Sequence, residues 1–262
     1  MAEISRRMLL ISGAAAGTVA VAAAAGYGLV EAGDLPGKYR LGELLGACSV
    51  PPPPLRGPLP AWHETRFWSR YRRRPVRMIT LIPAAAAAPG PGHPGRGLGV
   101  IIGLHGLGGD AAAAARLYGP GMTSAQLSNC AVITVDGGGS YWHPRADGDD
   151  PLAMIVHEVL PRAAASGLRT SRIGIAGYSM GGYGALLLAE RLAAPGDQAV
   201  RPAAVAAASP AIFSSYPLAR AADPGAFDGP GDFARSNVLT GLTALADVPA
   251  WIGCGSNDPF AR

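Results

Sequence analysis

Two rhythms of apolar and polar residues run along this chain. Residues 64–71 and 76–82 are short runs rich in β-branched and aromatic side chains, with a turn at 72–75 between them. Such a pair predicts a β-hairpin. Residues 98–104 are apolar at nearly every position, and 130–135, 173–176, 203–208 and 250–254 repeat the pattern. A continuous apolar run is what a strand buried on both faces requires. Stretches of helical pattern lie between them at 110–117, 151–165 and 180–194. Alternation of strand and helix predicts an α/β fold, a mostly parallel sheet with helices on both faces and an antiparallel hairpin at its N-terminal side. An Ala/Pro/Gly-rich loop fills 83–97. A loop-rich insertion with Pro217, Pro224 and Pro230 fills 214–247. No internal repeat is present.

The first 60 residues follow a different pattern. Ser5-Arg6-Arg7-Met8-Leu9-Leu10 matches the twin-arginine export signal. An uncharged stretch of Ala and Gly runs from Met8 to Val30, long enough to cross a bilayer but only weakly hydrophobic. Residues 1–30 are therefore expected to be a twin-arginine signal or a membrane anchor, with small residues at Ala22 to Ala25 that would permit cleavage. Leu45-Gly46-Ala47-Cys48 resembles a lipoprotein box, but Glu31, Asp34, Lys38, Arg40 and Glu43 separate it from the apolar run it should end. Pro51 to Pro54 reads as a stiff spacer, so residues 31–60 are expected to be a linker. The folded domain is expected from 61 to 262.

Composition narrows the classes further. Of the 262 residues 49% are hydrophobic and 15% charged, which excludes a disordered, charge-solvated chain. Three cysteines exclude a disulfide-stapled miniprotein. Cys130 and Cys254 fall in or at the end of predicted strands and read as buried thiols. The net charge is +4, and Lys38 is the only lysine. Six arginines fall between Arg66 and Arg77, among Phe67, Trp68 and Tyr71. The alternation and the break at Pro75 favour a solvated charged face over a phosphate-binding patch, and no nucleic-acid partner is expected. There is no CxxC and no HExxH motif, and the spacing of Asp147, Asp149 and Asp150 is not that of a calcium loop. These aspartates read as a solvated loop and a helix start. No metal and no cofactor is implied.

The sharpest chemical signal is Gly177-Tyr178-Ser179-Met180-Gly181. This is G-x-S-x-G between a buried strand and a helix, the context a nucleophile elbow requires. The serine is held in a strained turn at a helix N-terminus, and the glycines leave room for the neighbouring backbone. His105-Gly106-Leu107-Gly108-Gly109 directly follows the 98–104 strand. That arrangement supplies half of an oxyanion hole. The expected donors are the backbone N–H groups of Leu107 and Met180, aimed at the oxygen that becomes negative as the serine attacks. His105 is expected to order this loop by hydrogen bonding rather than to act as the base.

At these motifs the chain resembles the α/β-hydrolase family, and within it the exported esterase and antigen-85-like (esterase D-like) branch. The residues that carry the resemblance are Leu104 to Asp110, Tyr141-Trp142-His143, Gly177 to Gly184, and Cys254-Gly255-Ser256-Asn257-Asp258-Pro259-Phe260. It spans roughly Ala61 to the end, and its motifs specify the superfamily better than the branch. The resemblance implies a serine-dependent carboxylic ester hydrolase acting through an acyl-enzyme, with a small-molecule ester or lipid as substrate. The alternatives are acyl transfer to a sugar hydroxyl, or a non-catalytic homologue in the cell envelope. A location in the envelope or outside the cell agrees with the signal. Oligomeric state is left open.

The triad acid belongs after the seventh strand, which assigns Asp258. The triad histidine belongs after the acid. All five histidines, His63, His93, His105, His143 and His157, precede Ser179. The sequence thus reads as ending just past the acid, with the last strand and helix of the fold missing. His143, after the strand at 130–135, is on the catalytic side, where packing the loop or lining the pocket is its expected task. His157 reads as a packing or surface residue in mid-helix. Little esterase activity and poor solubility are expected of this polypeptide.

Overall fold

A computed structural model describes residues 59–86, 95–195 and 199–255. Residues 1–30, where a twin-arginine signal or membrane anchor is expected, nearly all of 31–60, where a linker is expected, His93 and Asp258 lie outside the described residues. Residues 1–53 and 54–262 separate into two compact units, and the following concerns the second. Seven strands form one sheet: β1 (Ala61–Ser69), β2 (Arg74–Ile82), β3 (Gly99–Leu104), β4 (Cys130–Val135), β5 (Arg169–Tyr178), β6 (Arg201–Ala208) and β7 (Ala250–Gly253). Their order is β1-β2-β4-β3-β5-β6-β7. The β1–β2 and β2–β4 pairs are antiparallel and the remaining pairs parallel.

Helices cover both faces, as the sequence predicts. Ile79, Leu81 and Val132 point to one face and meet helix α1 (Ala111–Tyr118). Val100, Ile102 and Ile133 point to the other, where they meet helices α2 (151–165) and α3 (Met180–Ala193). Alternate residues of one strand thus fill two cores, which is why these strands are apolar throughout. Helix α2 runs as Pro151–Met154, a π-helical turn Ile155–Val159, then Leu160–Ala165. Pro161 explains the turn, because its ring carries no N–H for the His157 carbonyl and would collide with it in a regular helix. Helix α3 is Met180–Ala193. The insertion carries α4 (Tyr216–Ala222) and α5 (Pro230–Ser236).

Four expectations need correction. The hairpin pairs Ser69 with Arg74, so the turn is four residues long and earlier than the sequence suggested. Its shape is set from afar: Arg72 is buried and donates to both carboxylate oxygens of Asp149 at 2.7 Å. For the same reason Asp149 is a buried ion-pair partner rather than a solvated loop residue, and Arg72 departs from the charged face of its neighbours. Asp150 does start the helix, accepting the Ala153 N–H at 2.9 Å. Strand β5 begins at Arg169, before any apolar signal, because the Arg169 N–H pairs with the Leu98 carbonyl at 2.8 Å. Cys254 is exposed, since β7 ends at Gly253 on the outer side of the sheet, while Cys130 is half-buried.

Candidate active site

Ser179 stands between the end of β5 and the start of α3, half-buried, with φ 55° and ψ −121°. A serine in this region is strained by roughly 1–3 kcal/mol and stays there only when its neighbours hold it. They do so with hydrogen bonds. Its N–H donates to the Ala208 carbonyl at 3.0 Å, and its carbonyl accepts from Tyr183 and Ala211, each at 3.1 Å. The two flanking glycines are sterically required. A Cβ on Gly177 would collide with the Gly181 carbonyl, and one on Gly181 would collide with that of Leu104.

The 105–109 loop lies directly against this turn. A Cβ on Gly106 would stand 3.3 Å from the Tyr178 carbonyl and 3.5 Å from Ser179 Cβ. Leu107 follows, with an exposed side chain, while Met180 is wholly buried at the first turn of α3. Neither the Leu107 nor the Met180 backbone N–H is taken up by a hydrogen bond among the described residues. The structure therefore brings Ser179, Leu107 and Met180 to one place. The chain leaves β7 at the same edge of the sheet. Ser209 N–H donates to the Gly253 carbonyl at 2.7 Å, one residue beyond the Ala208 that holds Ser179. Asp258, five residues further on, is not among the described residues.

The histidines divide as the sequence suggests. His105 is buried, and burial holds its pKa below the ordinary histidine value. Both its ring nitrogens are engaged, with Gly137 N–H and the Gly106 carbonyl, each at 2.8 Å. His143 is completely buried, stacked on Phe227 with ring centroids 5.0 Å apart. Its Nε2 faces the Ala226 carbonyl at 2.9 Å and its Nδ1 the Pro144 carbonyl at 3.1 Å. It fastens the loop after β4 to the insertion. Arg145 reinforces the same joint, reaching Asp228 at 2.7 Å and the Ala226 carbonyl at 2.8 Å. His157 is exposed on α2 and stacks on Tyr71 at 5.4 Å.

One feature of the site has only a faint sequence signal. Tyr141 and Trp142 both adopt left-handed backbone, with φ 52° and 60°. The turn drives the Trp142 indole into the interior against Gly137 and Gly184, where it is fully buried. Gly137 is the trace of this close packing, while a Cβ on Gly138 would meet the Arg72 guanidinium. Tyr141 is buried with Tyr183, Phe213 and Phe227 under the insertion, and burial, followed by the Asp223 carboxylate, raises its hydroxyl pKa. A surface hollow of about 430 Å³ lies elsewhere, beside Thr170 and Ser171 at the far end of β5. No group of His, Cys, Asp and Glu suited to hold a metal occurs among the described residues.

Comparison with known proteins adds the lineage. The Esterase family model, described as "Putative esterase", matches residues 82–215, just over half of the chain. No curated protein sequence matches. The chain is similar in structure to FphF, a fluorophosphonate-binding serine hydrolase of Staphylococcus aureus. The TM-score is 0.57 at 21% identity, covering 76% of this chain and 80% of that one. MPT51 (FbpC1) of Mycobacterium tuberculosis gives a TM-score of 0.58 at 16% identity, covering 77% and 78%. An S-formylglutathione hydrolase from Agrobacterium tumefaciens gives 0.52 at 12% identity, covering 74% and 85%. At such identities the likeness is one of fold. Because the family match runs from the end of β2 to the opening of the insertion, the chain belongs to the Esterase family, α/β-hydrolase enzymes of carboxylic esters.

Proposed function

We propose that Ser179 is the nucleophile of carboxylic ester hydrolysis through an acyl-enzyme. The observation that carries this is the strained Ser179 backbone beside two unengaged amides, those of Leu107 and Met180. The hydroxyl attacks the ester carbonyl, and the carbonyl oxygen becomes an anion facing the two N–H groups. Collapse expels the alcohol and leaves the acyl group on Ser179. Water then repeats the attack and releases the acid. Asp258 is assigned the part of the triad acid, the carboxylate that orients the base.

The proton from Ser179 needs a base. The 262 residues contain no histidine after Ser179. His105 has both ring nitrogens engaged by backbone groups, and His143 is wholly buried, its ring nitrogens facing the Pro144 and Ala226 carbonyls and its Nδ1 3.5 Å from Asp232.

The test is to treat the purified chain with a fluorophosphonate and with p-nitrophenyl esters. Labelling at Ser179, absent in Ser179→Ala, is the expected result. Labelling elsewhere overturns the assignment of the nucleophile. Ester turnover that survives in Ser179→Ala overturns it as well.

A further inference from the structure

Two loops meet beside Ser179, and one imidazole joins them. His105 opens the 105–109 loop, and its Nε2 accepts the Gly137 N–H at 2.8 Å from the loop after β4. Its Nδ1 lies 2.8 Å from the Gly106 carbonyl. A backbone N–H can only donate and a carbonyl can only accept. Nδ1 therefore carries the proton and Nε2 the lone pair, so the ring is neutral and held in one tautomer. A second fastening crosses the same gap in the other direction. Trp142 Nε1–H donates to the His105 carbonyl at 3.2 Å, and the two rings pack 4.9 Å apart.

The charged groups that act on this ring are Asp136, Asp110 and Arg72. Both aspartates are paired with Arg77, and Arg72 with Asp149. Burial is the largest influence and disfavours the charged ring.

We infer that His105 is a positioning residue whose uncharged, Nδ1-protonated ring ties the 105–109 loop to the 137–142 loop. The tie sets the Leu107 amide against Ser179 only while that ring is neutral. This rests on reading Leu107 as an oxyanion donor. Protonation places a second N–H against the Gly137 N–H, two donors facing each other with no acceptor between them. The tie opens, and Trp142 alone spans the gap. Acid thus disables the site.

The experiment uses the full chain labelled with ¹⁵N-histidine, as wild type, His105→Phe and His105→Gln. The resonances lost in both variants assign His105. An Nδ1-protonated neutral ring at pH 7, persisting below the ordinary histidine pKa, is the expected result. An Nε2-protonated ring or an imidazolium at pH 7 overturns the inference.

Fluorophosphonate labelling of Ser179 supplies the functional readout. His105→Phe keeps the ring against Trp142 but loses both hydrogen bonds, and should slow labelling about 100-fold, as for loss of one oxyanion donor. His105→Gln, whose amide oxygen can accept the Gly137 N–H, should recover at least about 10-fold of that, a rescue that mere packing would not give. Equal rates in all three proteins overturn the inference. A wild type that never labels at Ser179 overturns the nucleophile reading instead, while the imidazole resonances still decide the tie.

Discussion

Glu190 shows how a single side chain can set the pH response of this molecule. It sits on α3, buried, with Oε1 lacking any hydrogen-bond partner and its carboxylate pressed against Gly241 of the insertion. Burial alone raises its pKa from 4.5 to about 7. The folded pKa lies above the unfolded one, so the unfolded chain releases this proton first as pH rises. Stability should accordingly fall between about pH 4.5 and 7 and level off beyond. Glu190→Gln removes this loss. The variant should melt with the wild type near pH 4.5 but exceed it at pH 8, by on the order of 2–3 kcal/mol. Thermal melts followed by circular dichroism at the two pH values check this, and a variant no more stable at pH 8 refutes it.

The elements of the site are held by contacts that reach far along the chain. The β1–β2 turn is fixed by the buried Arg72–Asp149 pair, and Ser69 and the Arg70 N–H both reach Glu158 of α2. Arg72 Nη1 also donates to the Asp136 carbonyl at 2.5 Å, next to the Gly137 that His105 holds. The hairpin is thus joined to the loop beside the serine. Arg72→Ala leaves Asp149 buried beside only the partly exposed Arg74, 3.6 Å away. Its expected cost is about 3–5 kcal/mol, because an uncompensated buried charge is worse than no pair at all. Urea denaturation measures it. A cost below about 1 kcal/mol would show that Arg74 takes over the carboxylate.

At the scale of the whole molecule, β7 is exceptional. A parallel strand is normally covered on both faces. Here Trp251 and Ile252 point to opposite faces and are 59% and 53% exposed. Among the described residues β7 pairs only with β6. An uncovered apolar edge is a template for association. The exposed Trp251 and Ile252 should make the protein self-associate as its concentration rises. Ile252→Lys, which adds a charge on that strand, should lower light scattering without shifting the melt. Unchanged scattering would locate the association elsewhere.

The sequence by itself determined the order of elements, the doubly covered sheet, and the place of Ser179 and the Leu107 loop. Each depends on local signals: continuous apolar runs, a helix after a strand, glycines where backbones touch. Only the tertiary structure decided the rest. That Arg72 and Asp149 are buried partners follows from residues 77 apart meeting, which no local pattern encodes. The tautomer of His105 is fixed by Gly137, 32 residues away. The raised pKa of Glu190 comes from the insertion that closes over it. Hydrophobic periodicity reports which way a residue faces, whereas charge, tautomer and strain depend on what it faces, and that is set only when distant segments pack.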